Sequence, residues 1–179
     1  MKSAVEQLAT YKSVHLNPTN IKTHFVGIPL IIWSAFLMIN TIPINFLVLE
    51  DSGFVFNVAG LFAVGVLIYY VKLHVKLAIG LLLFILPVLY SSYLVSKLDS
   101  VWMIAIGIFV VGWVFQLIGH KYEKAKPAFI DDLNQLLIGP FFLMAEVYFM
   151  LGLESELDKE ITPLAIEKRR SLTKLTAAN

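Results

Sequence analysis

Four long runs of this chain carry no charged residue, Phe25 to Leu49, Phe54 to Val71, Leu77 to Ser96 and Val101 to Gly119, and a fifth, Leu136 to Leu153, is interrupted only by Glu146. In hydrocarbon every backbone N–H and C=O must be satisfied within the segment, so a run of roughly 20 apolar residues crosses as a helix. A water-soluble fold would have to bury four helices on all sides and leave none of them a wet face. With apolar residues at 58% and charged ones at 15% of 179, the chain holds too little polar surface for that. The expected fold is all-α, a polytopic membrane protein with four antiparallel transmembrane helices at about 28–48, 54–71, 77–96 and 101–119. A fifth apolar helix at about 136–152 is expected to dip into the membrane or line a groove of the bundle, closing a single domain over 1–153, with 154–179 as a charged helix and tail.

Charge placement gives the orientation. Lys2, Lys12 and Lys22 precede the first run, Lys72 and Lys76 join the second and third, and Lys121, Lys124 and Lys126 follow the fourth. The opposite side holds Glu50, Asp51, Lys97 and Asp99. Basic loops stay cytoplasmic, which places the N-terminus there. A full crossing by the fifth run would expose Lys168, Arg169 and Arg170 on the far side, so a dip is expected instead, with the tail cytoplasmic. The connections at Glu50 to Gly53, Lys72 to Lys76 and Lys97 to Ser100 are short and force an up-and-down arrangement. The first apolar run follows a polar segment and is too long for a signal-peptide core, so no cleavable signal is expected. A bacterial inner membrane and an endoplasmic reticulum fit this topology equally. A net charge of +1 gives no reason to expect a nucleic-acid partner.

The chain has no cysteine, which excludes disulfides, thiolate metal sites and cysteine nucleophiles together. Any metal must be held by imidazole, carboxylate or amide oxygen. All four histidines, His15, His24, His74 and His120, fall in or within a turn of the expected cytoplasmic segments, although the topology argument made no use of them. Asn17 followed by Pro18 reads as a helix start, with Asn17 as N-cap and Pro18 at the first helical position. His15 then precedes that helix, His24 lies about two turns inside it, and Asn20 shares His24's face. Farther on, Trp113, Gln116, His120 and Glu123 are spaced three, four and three apart and form one stripe of the fourth helix. An imidazole and a carboxylate one turn apart can share a metal or pair behind one. His74 lies between lysines in a short loop, where a plain surface histidine is the default. Asp131, Asp132, Gln135, Pro140 and Glu146 form a third polar set. Glu146 has apolar neighbours on both sides and should face the protein interior, either as a structural partner or, in a transporter or channel, as a proton or ion carrier alongside the interfacial histidines.

There is no His-Glu-x-x-His, Gly-rich phosphate loop or Gly-x-Ser-x-Gly elbow. Four histidines are too few for the clustered boxes of membrane di-iron enzymes and suit one mononuclear metal. Imidazole with oxygen ligands and open positions is the set expected of non-haem Fe(II) that activates O2.

The segments Tyr-x3-His-x-Asn-x2-Asn-x3-His-x2-Gly-x-Pro at Tyr11 to Pro29 and Trp-x2-Gln-x2-Gly-His-x2-Glu-x3-Pro-Ala at Trp113 to Ala128 resemble a known family. It is that of the small membrane-embedded, iron-dependent 2-hydroxy-fatty-acid dioxygenases. Gly139-Pro140, Glu146 and Gly152 fit its C-terminal part, and the likeness runs over roughly residues 5 to 153. The resemblance implies α-oxidation, in which Fe(II) and O2 convert a 2-hydroxy fatty acid to the acid one carbon shorter with release of CO2. In the fungal members this serves the breakdown of sphingolipid long-chain bases. His15, His24 and His120 would then be metal ligands, with His74 or Glu123 as the fourth, and Glu123 is also a candidate catalytic group. Asn17, Asn20 and Gln116 would orient ligands or substrate. A site at the membrane edge would hold the polar head at the metal and the alkyl tail among membrane lipid. Lys12, Lys22 and Lys121 are candidates to anchor the substrate carboxylate.

Overall fold

The computed structural model describes residues 2–49, 54–130 and 132–178. Along them run α1 (Ala4–Lys12), α2 (Pro18–Asn40), β1 (Asn45–Leu49), β2 (Phe54–Asn57), α3 (Val58–Leu73), α4 (Val75–Val95), α5 (Val101–Glu123), a 3₁₀ turn (Ala128–Ile130), α6 (Gln135–Met150) and α7 (Ser155–Ala178). Glu50 and Asp51 of the expected first connection, and Asp131 of the third polar set, lie outside the described residues.

Among the described residues three helices, α2, α4 and α5, are long and apolar enough to cross a membrane, while α3 and α6 are apolar but shorter, at 16 residues each. The expected helix over 28–48 is displaced toward the N-terminus. It begins at Pro18, as the Asn17-Pro18 pair indicates, with the Asn17 side chain accepting from the Thr19 N–H at 2.8 Å. It ends at Asn40 because Pro43 follows and cannot continue a helical ladder. Beyond that proline, the aromatic and β-branched runs Asn45–Leu49 and Phe54–Asn57 pair as an antiparallel hairpin with Val48 opposite Val55. The helix expected from residue 54 therefore starts only at Val58, with Asn57 as its N-cap accepting from the Gly60 N–H.

The chain divides into two compact units, one of Val26–Val114 and one of Met1–Phe25 with Phe115–Asn179. In the first, Phe36 of α2, Ala59 and Ala63 of α3, and Ile85 and Val88 of α4 form a buried apolar cluster. Several of the polar side chains beside it bond one another. Asn57 Nδ2 donates to Asn40 Oδ1 at 2.8 Å, Asn40 Nδ2 to Ser92 Oγ at 3.0 Å, and the Trp33 indole to Ser91 Oγ at 3.0 Å. The outward faces of α3, α4 and α5 are apolar, with Leu83 67% and Met103 75% exposed. Such a surface is stable only against hydrocarbon or another apolar partner.

The second unit packs α1 against α6 and α7. Leu8 and Ala9 of α1, Ile138, Phe141, Phe142 and Ala145 of α6, and Leu157, Ile161 and Ala165 of α7 are buried. Residues 155–178, expected as a charged helix and tail, are helical, and their buried side chains recur every fourth residue on one face. Pro140 lies within α6 and does not interrupt it.

Candidate metal centre

His15, His24 and His120 converge in the second unit, each offering one ring nitrogen within 4.8 Å of the others'. All three are buried. They come from three segments: the turn after α1, the second turn of α2 and the last turns of α5. Asn20 and His24 are the buried positions of α2 here, and Gln116, Gly119, His120 and Glu123 those of α5, so each helix turns one largely polar stripe inward.

The hydrogen bonds fix the tautomers of two rings. His15 Nδ1 lies 2.7 Å from the Tyr11 carbonyl oxygen and His24 Nδ1 lies 2.9 Å from that of Asn20. A carbonyl can only accept, so both Nδ1 atoms carry the proton and both Nε2 atoms present lone pairs. Those two Nε2 atoms are 3.0 Å apart. Two facing lone pairs repel unless a cation or a shared proton lies between them. His120 Nδ1 is buried and has no hydrogen-bond partner among the described residues. Burial also pushes the His15 pKa well below its ordinary value, and the neighbouring His24 adds to the shift, so that ring is neutral at physiological pH. Neutral, carbonyl-oriented imidazoles with free inward nitrogens are what a divalent transition metal binds, and the residues fit such an ion.

The surroundings hold the rings in place. Tyr11 stacks on His15 with parallel planes and centroids 4.1 Å apart, and Phe142 of α6 lies 5.7 Å from the same ring. Glu123 is not one of the grouped residues. Its Oε2 accepts from the Asn17 N–H at 2.8 Å and from Asn20 Nδ2 at 3.2 Å, while Arg169 of α7 approaches Oε1 at 3.5 Å. Asn20 Nδ2 also reaches the Val14 carbonyl at 3.3 Å. Gln116 is buried, and its Nε2 has no hydrogen-bond partner among the described residues. His74 is not in the group. It precedes α4 in the other unit and caps it, its Nδ1 accepting from the Leu77 N–H at 3.5 Å.

Glu146 has a partner. Lys12 Nζ lies 2.9 Å from Glu146 Oε1 and 3.0 Å from Asp158 Oδ1, bridging α1, α6 and α7. A carboxylate held this way is poorly suited to carrying protons or ions, and Lys12 is not free to anchor a substrate. An inward-facing, paired Glu146 agrees with the sequence reading, but neither Lys12 as its partner nor the part played by Arg169 is legible there as a contact. The signal for Arg169 was present, since Leu157, Ile161, Ala165 and Arg169 are spaced by four on a helix otherwise rich in charge.

The chain matches the family described as 2-hydroxy-palmitic acid dioxygenase Mpo1-like over residues 1–151. It is 34% identical over 149 residues to the 2-hydroxy-palmitic acid dioxygenase MPO1 of Saccharomyces cerevisiae, covering 82% of this chain and 80% of the yeast protein. No solved structure matches it.

Proposed function

Because the chain belongs to the 2-hydroxy-palmitic acid dioxygenase Mpo1-like family, we propose that it is an oxidoreductase of 2-hydroxy fatty acids: an Fe(II)-dependent dioxygenase that shortens them by one carbon. The observation that carries this reading is the convergence of three buried histidines, two with their Nε2 lone pairs turned toward each other. The overall change, 2-hydroxy acid plus O2 to the shorter acid plus CO2 and water, balances without a separate reductant. That agrees with a chain whose sequence carries no nucleotide or flavin motif.

Fe(II), when bound, would supply O2 activation and a point at which the hydroxyl and carboxylate of the substrate can chelate. His15, His24 and His120 would hold it, leaving open positions. The carbonyls of Tyr11 and Asn20 fix the two ring orientations, and the stacked Tyr11 with Phe142 shields one side of His15 from water. Glu123 acts as a brace for Asn17 and Asn20, because its oxygens are already engaged. The buried Gln116 amide has hydrogen-bonding capacity to spare for the substrate head group. His24 and His120 lie near the polar ends of α2 and α5, so the head can sit at the membrane edge while the alkyl tail stays in hydrocarbon. The basic segments on that side support a cytoplasm-facing site in a multi-pass membrane protein.

The test is metal content by mass spectrometry on anaerobically purified protein, followed by release of labelled CO2 from a carboxyl-labelled 2-hydroxy fatty acid. About one iron per chain, lost in both His15→Ala and His120→Ala together with CO2 release, is the expected result for a single imidazole-bound ion. Protein that takes up no stoichiometric metal even when Fe(II) is supplied would overturn the reading.

A further inference from the structure

α7 lies outside the part of the chain matched to the family, which ends at residue 151. Its inward stripe nevertheless ends at the histidine group. After Leu157, Ile161 and Ala165, the next position of that stripe is Arg169, whose Nη2 donates to the Glu123 carbonyl oxygen at 2.8 Å. Its Nη1 reaches the Ser13 carbonyl at 3.4 Å and lies 3.5 Å from Glu123 Oε1. Ser13 is two residues before His15, and Glu123 is one turn after His120. The Glu123 carboxylate in turn holds the Asn17 N–H and the Asn20 amide, and the Asn20 carbonyl orients His24. One guanidinium therefore reaches the backbone beside the first histidine and the helix end that carries the third. Through Glu123 it also reaches the turn that aims the second.

We infer that Arg169 is a positioning residue for the three-histidine group, and that α7 is the strap that delivers it. The inference rests on the metal-site reading above. A planar fork with several fixed donors can serve two carbonyls and a carboxylate at once, whereas an ammonium on a flexible stem is a single point charge. The Glu123 side chain is only 3% exposed, so without the arginine a buried carboxylate would lose its cation and Asn17 and Asn20 their fixed acceptor. Outer partners of metal-binding histidines set affinity because they hold the rings in binding geometry before the ion arrives.

The experiment titrates full-length, metal-free protein in detergent with Co(II), whose visible bands report coordination, and measures affinity by competition with a chromophoric chelator. Arg169→Ala and Glu123→Gln are expected to weaken Co(II) binding by about 10–100-fold and to alter the bands. Arg169→Lys should recover part of the loss. Ile161→Ala thins the packing of α7 without touching Glu123, and should keep wild-type affinity and spectrum. Wild-type affinity and spectrum in Arg169→Ala would overturn the inference, as would an equal loss in Ile161→Ala, which would assign the effect to helix docking. If Arg169→Ala does not fold, Arg169→Lys decides: wild-type affinity and bands there overturn the inference, and a partial loss with altered bands supports it. Co(II) binding that depends on Arg169 in a protein that does not oxidise 2-hydroxy acids would leave this inference standing and remove the proposed activity. Wild-type protein that binds no metal would remove both.

Discussion

A Cβ at position 119 would overlap the Thr23 hydroxyl and the Asn20 carboxamide and lie 3.2 Å from His24 Nδ1. The bare backbone of α5 therefore meets the polar face of α2, and the glycine directly before His120 sets how closely two of the three ligand-bearing segments approach. Gly119→Ala is expected to cost about 1–3 kcal/mol through forced displacement of packed groups and to weaken metal binding along with it. Gly65, inside α3, has nothing within 4 Å of its notional Cβ. Gly65→Ala should therefore gain about 0.5–1 kcal/mol from helix propensity alone. Thermal melts of the two variants in the same detergent check the pair, and equal shifts of the same sign would refute the packing argument.

At the scale of elements, the second unit is held by a charged junction as well as by its apolar core. Lys12 of α1, 11% exposed, is shared between Glu146 of α6 and Asp158 of α7, and its ammonium also lies over the Phe149 ring. Burial tends to raise the Asp158 pKa, but the Thr162 hydroxyl and Lys12 outweigh it and hold the carboxyl below its ordinary value. Lys12→Met leaves Glu146 without its cation, and is expected to destabilise the protein by about 3 kcal/mol, as when one partner of a buried pair is removed. Lys12→Met with Glu146→Leu removes both charges and should recover much of that loss. Denaturant melts give the comparison. A double variant no more stable than Lys12→Met would mean that the unpaired carboxylate is not the source of the cost.

For the whole molecule, the decisive surface is the one that faces outward. Leu83, near the middle of α4, is two-thirds exposed within a helix that has the length and hydropathy of a membrane span. Leu83→Arg is expected to disfavour insertion by about 3 kcal/mol, and Leu83→Ala to have little effect on folding because no packed neighbour is lost. Membrane fractionation and alkaline extraction after expression read the difference. Leu83→Arg recovered in the membrane as efficiently as wild type would count against α4 as a lipid-facing span.

What the sequence alone determined was a helical class with runs long and apolar enough to cross a membrane, and the chemistry available to it. Uncharged runs of that length leave the backbone no solvent but itself, and a cysteine-free chain has little except imidazole with which to bind a transition metal. The Asn17-Pro18 start and the stripe from Gln116 to Glu123 were also legible, because capping and four-residue spacing are local rules. Tertiary structure decided the rest. Hydropathy does not separate apolar strand from apolar helix, so Asn45–Leu49 and Phe54–Asn57 read as helix until Pro43 and their pairing made a hairpin. Spacing along the chain cannot show that His74 serves α4 as a cap while the other three histidines meet. Nor can it show that Glu123 is committed to Asn17, Asn20 and Arg169. These are contacts between residues up to 106 positions apart, and only the packing of α1, α2, α5 and α7 brings them together.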